Sequence, residues 1–283
     1  MADCRQFGDI EVTAFSAGRC KLDGGTMFGV VPRAIWSREM APDDENRIWL
    51  GLTCLLVKTL DETILIESGI GGGKLTKKYQ EIFAADPSEG VAKSLGEMGT
   101  DPENVDRVIL THLHMDHAGG ATYLAGNDFR LTFPNARYTV QRLEWEDALG
   151  ADRQTVRGYH VNEDLLPLER AGVLDLVEGD MEVCPGVEVF LTPGHTRAHQ
   201  SVLVHSGEEK VCFVGDLVPT SHHMHPVFIM AFDLYPRDTY RVRQEVLGRA
   251  ESEHWLLAWP HDPDRLWGYV QAGKRGNYTV MEE

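Results

Sequence analysis

Ten short stretches of the chain cluster or alternate apolar residues in the manner of β-strands. They are "IEVTAFSAG" (10–18), "LTCLLVKTL" (52–60), "ETILIESG" (62–69), "RVILTH" (107–112), "ARYTVQ" (136–141), "VLDLVEG" (173–179), "VEVFLTPG" (187–194), "QSVLVHSG" (200–207), "KVCFVGD" (210–216) and "HWLLAWPH" (254–261). Four segments instead space apolar residues three or four apart among charges: "GKLTKKYQEIFA" (73–84), "VAKSLGEMG" (91–99), "QRLEWEDALG" (141–150) and "DTYRVRQEVLGRAES" (238–252). That spacing is the helical period. Strands rich in β-branched residues, interrupted by helices, predict an α/β fold whose sheets carry helices on the outside. No fixed-period repeat, low-complexity segment or linker interrupts the pattern, so residues 1–283 are expected to form a single domain. Two pieces break it: residues 20–48, read as a long N-terminal loop, and residues 217–237, rich in histidine, methionine, proline and aromatic residues. Loops of that length commonly line binding sites.

Charge and composition remove several function classes. The chain carries 27 Lys and Arg against 44 Asp and Glu, a formal net charge of −17. Phosphate backbones and anionic lipid surfaces are repelled by such a molecule, so neither nucleic acid nor membrane is expected as a partner. The chain opens without a basic stretch leading into an apolar one, and "IWLGLTCLLV" (48–57) is too short to span a bilayer. The cytoplasm is the expected location. Five cysteines, widely spaced and without a C-x-x-C pair, indicate neither a disulfide framework nor a thiolate zinc site. Cys54 and Cys212 sit in apolar runs and read as small core residues.

Against this background, "THLHMDHAGG" (111–120) places three of the twelve histidines and an aspartate within six positions, directly after a strand-like run. In extended backbone His112 and His114 point the same way, because side chains alternate from face to face, and two imidazoles on one face can share a metal. Asp116 and His117 follow at once. "AGGATYL" (118–124) reads as the opening of a helix, so this second pair would project from the turn and make a second, adjacent ligand set. Three further candidates each stand at the end of a strand-like run: His195 in "VFLTPGHT", Asp216 in "VCFVGDL" and His261 in "LLAWPHDP". Sheet proteins gather their sites at strand ends, and an aspartate closing an apolar strand needs a partner for its charge.

The order H-x-H-x-D-H, then G-H, then G-D, then a late histidine, over residues 112–261, resembles the dinuclear motif of the metallo-β-lactamase superfamily. The resemblance implies an αββα sandwich. It further implies two divalent metal ions: one held by His112, His114 and His195, the other by Asp116, His117 and His261, with Asp216 between them. Nitrogen and oxygen donors suit zinc, the first expectation, and also iron, manganese or cobalt. Members resembling flavodiiron oxygen reductases carry glutamate where this chain has His114, so hydrolysis is favoured over redox chemistry.

The loops narrow the reading. "LDGGTMFGVVPRAIW" (22–36), "ILIESGIGGGKL" (64–75) and "PTSHHMHPVFIMAFDLYP" (219–236) resemble the quorum-quenching N-acyl-homoserine lactonase branch, and they are also similar to methyl-parathion-hydrolase-type enzymes. The first implies opening of a lactone ring by a hydroxide held between the metals, with Asp116 delivering a proton to the leaving ring oxygen. The second implies attack on phosphotriesters or aryl esters. A metal-binding or sensor protein without activity is the non-enzyme alternative, set against the full occupancy of all seven ligand positions. A small-molecule lactone or ester is thus the expected partner, and a homodimer is common among the resembling enzymes. Met27, Phe28 and Trp36 are the candidate apolar substrate contacts, with Met224, Phe228 and Met230 as further candidates and His223 as a polar one. Two departures are visible. The resembling lactonases carry a substrate-binding tyrosine three residues after the bridging aspartate, where this chain has Pro219, and Glu67 stands where the superfamily has a supporting aspartate.

Overall fold

The computed structural model describes residues 2–150 and 158–281; Met1, 151–157 and 282–283, all within the expected single domain, lie outside the described residues. Seven strands build the first sheet: β1 (Ala2–Phe7), β2 (Ile10–Asp23), β3 (Arg47–Lys58), β4 (Thr63–Ile66), β5 (Arg107–Ile109), β8 (Arg137–Gln141) and β9 (Leu174–Val177), in that spatial order. The first four pair antiparallel, and β4, β5, β8 and β9 run parallel. A separate hairpin of β6 (Thr122–Ala125) and β7 (Asp128–Leu131) follows β5. The second sheet runs β10 (Met181–Cys184), β11 (Val187–Leu191), β12 (Gln200–Ser206), β13 (Glu209–Phe213), β14 (Leu256–Ala258) and β15 (Trp267–Gly268), with β13 and β14 parallel. β16 (Val270–Ala272) and β17 (Tyr278–Val280) form a small C-terminal pair.

Alternation along the strands decides how these layers stack. In β3, Leu55 and Val57 enter a core shared with Val202 and Val204 of β12 and Val211 and Phe213 of β13. Cys54 and Leu56, one residue out of phase, face the opposite side. In the second sheet Leu203, Cys212 and Leu257 likewise turn away from the shared core. The two sheets therefore bury one face against each other and the other face against helices, as a side-chain period of two requires.

Helices complete the sandwich: α1 (Gly24–Phe28), α2 (Arg33–Trp36), α3 (Lys77–Phe83), α4 (Val91–Glu97), α5 (Met115–Ala118), α6 (Arg142–Leu149), α7 (Leu166–Ala171) and α8 (Pro236–Ser252). Val91 and Leu95 of α4, Trp145 and Ala148 of α6 and Leu168 of α7 cover the first sheet. Val242, Val246, Leu247 and Ala250 of α8 cover the second. The result is the αββα architecture of two mixed sheets flanked by helices, and Cys54 and Cys212 are buried within it.

Two expectations change. Residues 20–48 are not a continuous loop: β2 runs on to Asp23, whose carboxylate accepts the Thr26 N–H at 2.9 Å and caps α1, and α2 follows before β3 begins at Arg47. The break in the strand pattern at "FSAGRC" is a β-bulge, a register shift between Ser16 and Arg19. It re-aims the end of β2 without ending it. The segment "AGGATYL" does not open a helix either. The helix starts earlier, at Met115, and lasts four residues before a 3-10 turn (Gly119–Ala121) leads into β6. Gly119 and Gly120 lie so close to the Ile70 and Ser68 carbonyls that a Cβ would fall within 2.5 and 1.9 Å of them. These glycines serve close backbone approach, which a longer helix would not allow.

Candidate metal centre

Seven histidine and aspartate side chains converge where strands of both sheets end. His112 and His114 follow β5, Asp116 and His117 sit on α5, His195 follows β11, Asp216 lies on a 3-10 turn after β13, and His261 follows β14. His112 Nε2 is 3.0 Å from His114 Nδ1, which is 2.9 Å from His195 Nε2. A second group holds Asp116, His117 and His261, with the His261 and His117 Nε2 atoms 3.1 Å apart. Asp216 stands between the groups: Oδ1 is 3.3 Å from His117 Nε2 and 3.1 Å from His261 Nε2, while Oδ2 is 3.4 Å from His195 Nε2.

The outward ring nitrogens fix what the inward ones can be. His195 Nδ1 donates to Asp233 Oδ1 at 2.8 Å, and His261 Nδ1 donates to the Gly51 carbonyl at 3.0 Å. Each neutral ring then turns an unprotonated Nε2 toward the cluster. His112 Nδ1 meets the Thr111 hydroxyl at 3.0 Å. His117 Nδ1 lies 3.2 Å from Glu67 Oε2, and Glu67 Oε1 accepts the Thr111 N–H at 2.9 Å. The methylene that distinguishes Glu67 from aspartate thus lets one buried side chain reach both motif segments, at a backbone φ of 68° that a non-glycine residue rarely adopts. Lone pairs facing one another at 3 Å repel unless a cation lies between them. Asp216 Oδ1, buried without a hydrogen-bond donor, makes the same demand. The donor set fits divalent metal ions.

Electrostatics without an ion tell the same story. Burial disfavours the charged form of every histidine here, and it holds His112 well below the ordinary value and His114 at about 3. At His117 burial is outweighed by Asp216, Glu67 and Asp116, which hold its pKa well above the ordinary value. At Asp216 burial is likewise outweighed, by His261, His117 and His195, so its carboxyl stays ionised far into acid. Protons on histidines then supply the positive charge, and a metal ion displaces them.

Outer contacts tie the ligand segments together. Glu144, fully buried on α6, accepts from Leu113 N at 3.2 Å, Tyr159 Oη at 3.1 Å and Thr196 Oγ1 at 2.6 Å. His199 Nε2 accepts the Asp216 N–H at 3.0 Å while its Nδ1 meets Thr192 Oγ1 at 2.8 Å. Asp233, His199 and Glu144 carry no motif of their own. His199 alone stands at a suggestive spacing, four residues after His195.

The cluster floors a cavity of about 460 Å³ whose walls include Leu22, Met27, Ile70, Phe83, Met230 and Phe232, with no lysine or arginine among the described residues that line it. Met27 stands in this wall. Phe28, Trp36 and His223 do not. Phe28 and Trp36 are stacked on each other with ring centroids 5.6 Å apart and are wholly buried behind the wall. His223 stacks on Phe28 at 4.6 Å and has both nitrogens engaged, Nε2 with the Met27 carbonyl at 2.9 Å and Nδ1 with Thr220 Oγ1 at 2.8 Å. Large flat rings on a short helix facing the sheet are drawn into the core, and a histidine with both nitrogens committed has no donor left for a ligand. Of the further apolar candidates Met230 reaches the cavity, whereas Met224 and Phe228 are buried away from it.

Comparison with known proteins agrees with this geometry. The family model of the metallo-β-lactamase superfamily matches residues 47–261. An N-acyl homoserine lactonase from Bacillus cereus is 30% identical over 199 residues, covering 66% of this chain and 67% of the relative. A solved probable metal-dependent hydrolase from Staphylococcus aureus superposes with a TM-score of 0.86 at 29% identity, covering 99% of both chains. An N-acyl homoserine lactone hydrolase, solved with the product N-hexanoyl-L-homoserine at its catalytic metal center, gives 0.69 at 25% identity over 89% of this chain and 93% of that one. Family model, relatives and fold agree: the chain belongs to the metallo-β-lactamase superfamily, and its likeness within it is to the hydrolases of the N-acyl-homoserine lactonase branch.

Proposed function

We propose that the protein is a dinuclear metal-dependent hydrolase that opens lactone rings, N-acyl-homoserine lactones first among them. The observation that carries this reading is the cavity itself: an apolar pocket, with no lysine or arginine among its described lining residues, whose floor is the histidine and aspartate cluster. In the proposal His112, His114 and His195 hold one ion, Asp116, His117 and His261 hold the other, and Asp216 joins them; zinc is the proposed metal, with iron, manganese or cobalt as substitutes. Two divalent ions so held supply a hydroxide at neutral pH and a Lewis acid for the acyl oxygen. The chain's own residues do the rest. Asp116 is the carboxylate of the set most open to the cavity, 18% exposed against 6% for Asp216, and carries the proton to the departing ring oxygen. Leu22, Met27, Ile70 and Phe232 take the acyl chain and keep water from it. Among the described residues the walls carry no basic side chain, which favours a neutral substrate over a glutathione thioester or a phosphodiester.

A second reading has one observation in its favour. Pro219 occupies the place of the lactonase tyrosine, and among the described residues no tyrosine lines the cavity. A neutral phosphotriester or aryl ester needs no such donor beyond the ions, so hydrolysis of those substrates is the alternative. A cytoplasmic enzyme acting as a homodimer completes the proposal; among the described residues no helix is long and apolar enough to cross a membrane.

Metal titration tests the core of it. The metal-free protein should take up two zinc ions and open N-hexanoyl-homoserine lactone only when loaded. Asp216→Ala should lose both uptake of the pair and turnover. Full activity of that variant without metal would end the proposal.

A further inference from the structure

Arg243 lies on the buried face of α8 and is wholly inaccessible to solvent. A guanidinium in a dry interior is tolerated only where carbonyls or carboxylates meet its fixed fan of donors. Here Nε donates to the Leu217 carbonyl at 2.8 Å, and Nη1 donates to the carbonyls of His223 at 2.9 Å and Phe228 at 2.7 Å. Those three peptide units punctuate the loop that begins beside Asp216 and ends in the cavity wall. Leu217 adjoins Asp216 on the 3-10 turn. His223 carries the Phe28 stack and the bond to Met27. Phe228 precedes Met230 and Phe232, and the Ala231 N–H reaches across to the Thr26 carbonyl at 2.8 Å. Met27, Met230 and Phe232 therefore stand on two loops that brace each other, and one buried side chain pins the second of them to α8.

The charge is answered from the same loop. The nearby Asp233 carboxylate favours the charged guanidinium against the burial that opposes it. That carboxylate gives Oδ1 to His195, while Asp233 Oδ2 and Arg243 Nη2 are both buried without a hydrogen-bond partner.

We infer that Arg243, outside the cavity, is a specificity-determining positioning residue: by fixing the Leu217, His223 and Phe228 carbonyls it sets where Met27, Met230 and Phe232 stand against the substrate's acyl chain. The choice of substrates below rests on the lactonase reading; the placement of the wall does not. Lysine preserves the charge but replaces a planar array of donors by a single ammonium, so Arg243→Lys should release at least one carbonyl. Loss of a buried hydrogen bond of this kind corresponds to roughly tenfold or more in an equilibrium constant.

The experiment compares KM and kcat of the zinc-loaded wild type and Arg243→Lys on N-butanoyl- and N-decanoyl-homoserine lactone. The expected result is a KM for the decanoyl substrate raised about tenfold with the butanoyl KM and the zinc content nearly unchanged. Equal losses on both substrates, or no loss on either, would overturn the inference. Should wild type ignore lactones, the same pair of chain lengths is run as p-nitrophenyl esters, so that failure of the lactonase reading stays separate from failure of this one. Should the variant not fold, the wild type decides: the Arg243 Nε–H, held by the Leu217 carbonyl, should give a slowly exchanging, motionally restricted NMR signal, and rapid exchange or averaging there would refute a fixed clamp.

Discussion

Asp233 shows most clearly how single residues divide labour at this site. Its carboxylate touches no inward-facing nitrogen, yet it holds His195 Nδ1 at 2.8 Å and so determines which ring nitrogen faces the cluster. Partners of this kind orient a ligand ring and raise its basicity. Asp233→Asn should weaken uptake of one ion of the pair by about 10- to 100-fold and leave the other nearly unchanged. A two-step zinc titration checks this, and superimposable curves for variant and wild type would contradict it. Glu67 illustrates the converse, a departure from the aspartate of the resembling enzymes whose longer side chain spans Thr111 and His117 in the folded chain.

At the scale of elements, the ten strand-like runs and the four helical segments all correspond to real elements, because burial on one or two faces imposes a period that survives in the residues themselves. What stayed illegible lacked that imprint. β6 and β7 form an isolated hairpin with exposed Tyr123 and Leu124, β1 lies at a sheet edge, and α1 and α2 are too short to show a period. Four of the candidate ligands were legible because their spacing is local, and the other three because each closes a strand-like run. The apolar wall was not, since whether Met27 or its neighbour Phe28 reaches the cavity depends on the facing loop. Glycines at the joints carry the tightest requirement. Gly194, with φ of 149°, presents its missing Cβ to the Thr239 amide nitrogen at 2.5 Å and so seats α8 against the His195 turn. Gly194→Ala should cost about 2–3 kcal/mol in urea unfolding, whereas Gly207→Ala, with φ of 61° and open space around it, should cost about 1 kcal/mol. Equal costs at the two positions would show that close packing at Gly194 is not limiting.

Across the whole molecule, buried neutral histidines make the fold sensitive to acid. Burial, reinforced at His199 by His195 and at His223 by Arg243, pushes both pKa values down to about 3. The folded state therefore refuses a proton that the unfolded chain accepts below about pH 6.5, and stability falls as the pH drops from there toward 3. Each group should remove about 1.4 kcal/mol per pH unit across that window. The urea midpoint should fall steadily below pH 6.5, less steeply in His223→Gln, and a midpoint flat down to pH 4.5 would contradict the assignment. The net charge of −17 acts at the same scale, disfavouring the approach of anionic molecules.

The most direct test of the account is a comparison of kcat/KM on one metal-analysed preparation for N-acyl-homoserine lactones of several chain lengths, an aryl lactone, paraoxon and a glutathione thioester. The account predicts two metal ions per chain and homoserine lactones as the preferred substrates, with the thioester untouched. Preference for paraoxon or the aryl lactone, with homoserine lactones barely turned over, would contradict the substrate assignment and make Pro219 the residue to change first.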